Sequence, residues 1–240
     1  MRSWNGAEIQ IAKSRGGKIS VCNYEDNLIV PLSSVWPHND IVKKLYKSNH
    51  DKDFDQPSLE ALRSKLGFYC DLQSLRSEDA ITWSIFGTLN YFSKERQVSF
   101  VNSLLRAIGK EPKVTDCSIQ LWTRIAHPDT LVPGGPEIDF QIIGDKAVIL
   151  GECKWTSKVG ENQGKEKNKD QLQLRQEYIE KCGKRIFPNI DLQIVLAVTL
   201  TKQQKTVCPS ITWEEICANT EHPLKSEVSG YYFWKKEFGQ

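Results

Sequence analysis

The chain has 240 residues, 39% hydrophobic and 26% charged, which is enough for one domain with a packed core and too ordinary for a disordered or fibrous protein. A net charge of +2 is not the strongly basic balance that announces a nucleic-acid binder, and seven scattered cysteines with four histidines outside any zinc spacing argue against a disulfide scaffold or a zinc hydrolase. No apolar run is long enough to cross a membrane and no apolar leader follows Met1, so the expectation is an intracellular protein, cytoplasmic or nucleoid-associated, with no membrane partner.

Taken in chain order, residues 1–74 read as an N-terminal accessory region, with short β-like runs at Lys18 to Cys22 and Leu28 to Leu32 and a polar stretch through Asp53. Pro57 opens a short helix, SLEALRSKL, which Gly67 stops. Residues 75–240 read as the core domain with a C-terminal extension. There Ser77 caps a helix in which Ile81, Ile85 and Leu89 recur at helical spacing, and Val98 to Ile108 forms another. After Gly109 the period becomes extended. Ser118 to Ile125, Glu137 to Ile143 and Ala147 to Trp155 read as strands, Asp170 to Cys182 as a helix, Leu192 to Thr199 as a buried strand and Trp213 to Ala218 as a short helix. The core order is αβββαβ.

The chemistry concentrates in the hairpin EIDFQIIGDKAVILGECK. Side chains alternate faces along a strand, so Asp139 lies between Glu137 and Gln141 on one face, and Glu152 shares a face with Lys154. A two-residue turn at Gly144-Asp145 would set Asp139 opposite Leu150 and make Glu152 its diagonal neighbour. Two carboxylates so close repel unless a cation sits between them. Lys154 alone could be that cation in an ordinary cross-strand ion pair, but Ile142, Val148, Ile149 and Leu150 make these strands too apolar for a solvated ladder. A D/E-x-K triplet arises about once by chance in a chain of this size. The second one here, Glu111-Pro112-Lys113, lies in a loop and has no strand or upstream acid beside it.

With Asp139 upstream, Glu152-Cys153-Lys154 ending an apolar strand, and the αβββαβ order around them, roughly residues 75–200 resemble the PD-(D/E)XK nuclease superfamily of restriction endonucleases, resolvases and RecB-like nucleases. The resemblance implies an α/β, restriction endonuclease-like fold, with a mixed β-sheet flanked by helices. It implies Mg2+ as cofactor, with Mn2+ as substitute, held by Asp139, Glu152, the backbone carbonyl of Cys153 and an acid from the preceding helix. Glu78, aligned with Ile81, Ile85 and Leu89, suits that last role, while Asp79 suits the helix dipole. Glu78, Asp139, Glu152 and Lys154 are thus the expected catalytic set, with Lys154 positioning or deprotonating a water and stabilising the pentavalent phosphate.

The implied partner is DNA, contacted by Lys158, Lys165, Lys167, Lys169, Gln171 and Arg175, although the interleaved glutamates also suit a solvated face. Some relatives carry a Q-x-x-x-Y spacing on the following helix. Here Leu174 stands four residues before Tyr178, so that spacing is not met, although Gln171, Arg175 and Tyr178 share one helical face, as any amphipathic helix would place them. A symmetric homodimer, or other nuclease or recombination subunits, are the expected protein partners. A non-catalytic binding module on the same fold and an RNA-directed nuclease are the competing readings.

Overall fold

Ser77 leaves the helical region and its hydroxyl accepts from the Ala80 N–H at 3.1 Å, starting helix α2, Glu78–Phe86, on which the site depends. The computed structural model describes residues 1–13, 17–32, 38–48, 71–111, 113–130, 135–202 and 207–239, so the helix expected over 58–66 lies outside the described residues. Helix α1, Asn39–Ser48, precedes α2 in the chain. All of Ala80 to Phe86 is buried, hydroxyls included, because Thr82 and Ser84 donate back to the carbonyls of Glu78 and Ala80. A helix buried all round is a central layer, not a surface one.

Helix α3, Lys94–Ala107, follows, and Gly109 at φ +70 ends it. The chain then enters a five-stranded mixed sheet: β3 Cys117–Arg124, β4 Glu137–Gly144, β5 Ala147–Cys153, β6 Leu192–Thr199 and β7 Ser210–Thr212, in the order β3-β4-β5-β6-β7. The first three run antiparallel; β6 and β7 are parallel to β5 and to each other. Helix α4, Gln171–Tyr178, begins with a capping box from Asp170 and Gln173 and continues through a wider turn, Ile179–Gly183. Helices α5, Trp213–Asn219, and α6, Lys225–Phe238, complete the chain.

Alternation along β5 and β6 sends side chains to two separate cores, so the sheet is covered on both faces. Ile149, Leu196 and Val198 pack with α2, α3, α5 and α6, while Val148, Leu150, Val195 and Ala197 pack with α4. Each such aliphatic burial contributes about 1.5–3 kcal/mol. From α3 to β6 the element order is the expected αβββαβ.

Two expectations are corrected. Leu28 to Leu32 forms no strand, because α2 takes its backbone groups: Ile29 N–H donates to the Ser84 hydroxyl at 3.1 Å, and the Trp83 indole donates to the Ile29 carbonyl at 3.1 Å. The hairpin turn lies at Asp145-Lys146, not Gly144-Asp145. Gly144 ends β4 in a tight place, where a Cβ would come within 2.8 Å of Val114, and the Asp145 carboxylate anchors the turn on the Thr115 N–H at 2.9 Å and on its hydroxyl. Shifting the turn by one residue moves the register by two, which keeps every face but changes every partner. Leu150 therefore faces Gln141, not Asp139.

The described part of residues 1–74 does not stand apart from this core. A short pair, β1 Ile11–Lys13 with β2 Ile19–Val21, leads into Leu28, Ile29 and Ile41, all buried in the α2-side cluster. The Tyr231 hydroxyl of α6 fastens it by donating to the Asn27 carbonyl at 2.9 Å.

Candidate active site

Phe140 pairs with Gly151 at the last rung of the β4–β5 ladder, so one further step along the same register brings Asp139 level with Glu152. Glycine is required there. The Phe140 ring lies over Gly151, where a Cβ would come within 1.9 Å of it, and stacks on Phe86 of α2 with centroids 3.8 Å apart. At Asp139 the ladder to β3 also skips a rung, opposite Trp122, whose φ of +51 breaks the regular strand. The Asp139 carboxylate turns onto the neighbouring strand and accepts from the Cys153 N–H at 2.7 Å. This contact uses the Cys153 N–H and leaves its carbonyl out of it.

Past Cys153 the chain is clamped from three sides. Lys154 N–H donates to the Val198 carbonyl at 2.7 Å, the Trp213 indole donates to the Lys154 carbonyl at 2.9 Å, and the Trp155 indole donates to the Gly239 carbonyl at 2.9 Å. With its backbone fixed, Lys154 places Nζ 3.0 Å from Glu152 and 3.4 Å from Glu78. Glu78 also accepts from the Trp155 N–H at 2.9 Å and from the Ser157 hydroxyl. From the other side, Arg175 of α4 brings Nη2 3.3 Å from Glu152 and donates to the Glu137 carbonyl at 2.7 Å. Glu152, Lys154 and Arg175 are 2%, 8% and 3% exposed, so these charges are paired in a largely water-free setting.

The site opens into a cleft of about 550 Å³. Six carboxylates, Asp71, Glu78, Asp79, Glu137, Asp139 and Glu152, face four cations, Lys44, Arg124, Lys154 and Arg175. Burial, reinforced by the charge of Glu152, lifts the Asp139 carboxyl well above the ordinary range against the opposing pull of Lys154. Burial draws the Lys154 ammonium down, but Glu152, Asp139 and Glu78 together outweigh it and hold its pKa above the ordinary value. With these neighbours Lys154 stays protonated at neutral pH. As an ammonium it can donate to an oxygen.

Lys44 was not anticipated. Helix α1 carries it to the cleft, where Nζ lies 3.1 Å from Asp79, 2.8 Å from Glu137 and 5.1 Å from the centre of the Trp122 ring. Asp79, expected only to complement the helix dipole, is therefore a cleft residue beside Glu78, and burial lifts its carboxyl despite Lys44. Helical spacing could not separate the two acids, because α2 has no exposed face against which to measure a buried one.

The expected phosphate contacts divide. Lys158, Lys165 and Lys167 are exposed on the segment after β5, which a Gln163–Lys169 backbone bridge closes. Gln171 pins that segment, accepting from the Gly160 N–H at 2.7 Å, and lines the cleft. Lys169 is committed to Asp129 at 2.6 Å and to Glu177. Arg175 is not on the surface at all, since it is the buried partner of Glu152.

The donor set fits a hard divalent cation, all oxygen and with two more acids than bases in the cleft. One Glu152 oxygen, Oε2, is buried without a hydrogen bond among the described residues. As they stand, no three His, Cys, Asp or Glu side chains converge as a metal cage among the described residues, and Glu78, Asp79, Glu137, Asp139 and Glu152 are each turned onto an N–H or a cation. Also among the described residues, no helix is long and apolar enough to cross a membrane. Compared with known proteins, the chain matches no family model, no curated protein and no solved structure.

Proposed function

We propose that this chain is a divalent-metal-dependent endonuclease that hydrolyses phosphodiester bonds of DNA on a restriction endonuclease-like core. The observation that carries the reading is Lys154, an ammonium fixed between Glu152 and Glu78 in the lining of an acid-rich cleft, one residue beyond the Cys153 N–H that engages Asp139. A Lys154–Glu152 salt bridge serving stability alone gains little from two further acids, Asp139 and Glu78, around it, and buried carboxylates of this kind are costly to gather. Asp139 and Glu152 are the residues that would hold Mg2+ or Mn2+, with Glu78 and the Cys153 carbonyl within the same strand-end cluster. When bound, such a cation supplies a more acidic water and neutralises charge on the phosphate.

The chain's own groups account for the rest. Protonated Lys154 donates to an oxygen of the phosphate as charge builds on it, an interaction that strengthens in a water-poor cleft. The surplus of carboxylates repels a polyanion when no cation is present, which supports strict metal dependence. Lys158, Lys165 and Lys167, exposed on the segment whose Gln163 lines the cleft, are the cations that would follow a phosphate backbone.

Digestion of plasmid, single-stranded DNA and RNA with Mg2+, Mn2+ or EDTA tests the reading. DNA cleavage that EDTA stops is the expected result; cleavage of RNA alone reassigns the substrate, and no cleavage of any of the three with either metal overturns the reading.

A further inference from the structure

Resting on the reading of a metal-dependent site on DNA, one pair within that site has unfinished bonding. Arg175 is a planar five-donor group, nearly all buried, yet its Nε and Nη1 have no hydrogen-bond partner among the described residues. Among the described residues its one hydrogen bond, from Nη2, goes to the Glu137 carbonyl. Across from it, Glu152 Oε2 also lacks a hydrogen bond among the described residues, although Arg175 Nη2 lies 3.3 Å away. Two opposite charges thus sit side by side in proximity, without the paired, parallel N–H to oxygen geometry that makes an arginine–carboxylate bridge strong. Burying both in this way is expensive for each.

We propose that Glu152 and Arg175 are place-holders for each other, so that a divalent cation taking Glu152 releases Arg175 to grip a substrate phosphate. The fork geometry of a guanidinium matches two phosphate oxygens, which is the bonding Nε and Nη1 lack. Gln171, one turn before Arg175 on α4, and Lys154 line the same cleft, so a phosphate reaching Arg175 meets further donors. Neither ligand alone relieves both buried charges. A cation alone leaves Arg175 more exposed to an unpaired burial, and a phosphate alone leaves Glu152 so. Each ligand therefore improves the site for the other, and this coupling is reciprocal.

The test separates binding from cleavage. Mn2+ binding is followed by loss of the free-ion electron paramagnetic resonance signal without DNA, and binding of a fluorescein-labelled oligodeoxynucleotide by anisotropy in EDTA or in Ca2+, for wild type, Glu152→Gln, Arg175→Gln and Arg175→Lys. The wild type should bind the oligonucleotide about tenfold more tightly in Ca2+ than in EDTA. Glu152→Gln should bind it equally well in both, because Arg175 is already released. Arg175→Gln should bind Mn2+ more tightly than wild type, having lost the competing cation, and should lose the Ca2+ enhancement of DNA binding. Arg175→Lys keeps the charge and guards against misfolding; it too should lose the enhancement, having no fork. Full Ca2+ enhancement in a folded Arg175→Lys or Arg175→Gln protein overturns the pairing and leaves the nuclease reading intact. Absence of both Mn2+ and DNA binding in the wild type overturns both.

Discussion

Asp139 accepts a hydrogen bond from the Cys153 N–H at 2.7 Å, so the acid of β4 is fastened to the backbone between Glu152 of β5 and Lys154 just past its end. One clasp thereby sets the relative position of all three groups. Replacing Asp139, Glu152 or Lys154 by alanine should each lower DNA cleavage by about a hundredfold or more while leaving the circular dichroism spectrum native. Asp139→Asn should do the same, since an amide oxygen can keep the Cys153 contact but carries no charge. Wild-type cleavage by Asp139→Ala would transfer its role to Glu137, two residues earlier on the strand.

Glu78 and Asp79 adjoin in sequence but serve different partners, Lys154 and Lys44. Glu78→Gln should cut the rate or the apparent Mg2+ affinity about tenfold, equivalent to roughly 1.4 kcal/mol. Asp79→Asn leaves Lys44 paired with Glu137 at 2.8 Å and should cost no more than about 1 kcal/mol of stability, with cleavage retained. Titrating Mg2+ against both variants decides; a defect confined to Asp79→Asn would exchange the two assignments.

Gly151 has no room for a side chain beneath Phe140. Gly151→Ala should lower stability by about 1–3 kcal/mol through overpacking and should displace Glu152, its neighbour, so that cleavage falls with it. Urea denaturation measures the first effect, and an unchanged midpoint would show that Phe140 can move aside freely.

His222 provides a pH test away from the site. It is buried, its Nε2 contacts the Ile85 carbonyl at 2.8 Å and its Nδ1 accepts from the Leu224 N–H, which is the bonding of a neutral ring. Burial pushes its pKa down to about 4, below the ordinary 6.5. The unfolded chain therefore binds a proton between these values while the folded chain does not. The contribution is complete above about pH 6.5 and is lost as the pH falls toward 4, by about 3 kcal/mol in all. Thermal unfolding from pH 7 to 4 should show a steeper loss for the wild type than for His222→Gln; parallel profiles would contradict it.

Much of this arrangement was legible in the sequence because it follows from period and punctuation. Ser77 before an apolar helix, the alternation from Glu137 to Cys153, and the apolar run at Leu192 each named their element. Asp139, Glu152 and Lys154 could be assembled because a strand's period of two fixes faces even when the turn is misplaced by one residue. What was not legible depends on long-range packing. Lys44 sits on a helix with no motif and reaches the cleft only through the fold, and Arg175 reads as one more basic residue of a charged helix until the burial around Glu152 is seen. The three-residue strand β7 is too short to show a period at all.

The central claim is that Lys154, held among Glu152, Asp139 and Glu78, serves the hydrolysis of DNA and not the fold. The most direct measurement is supercoiled plasmid incubated with Mg2+, and in parallel with EDTA, using wild-type protein and Lys154→Ala protein of matched thermal stability. The account predicts nicked or linear product from the wild type with Mg2+ and none in EDTA, with the variant at least about a hundredfold slower. Equal cleavage by both proteins, or cleavage undiminished in EDTA, would contradict it.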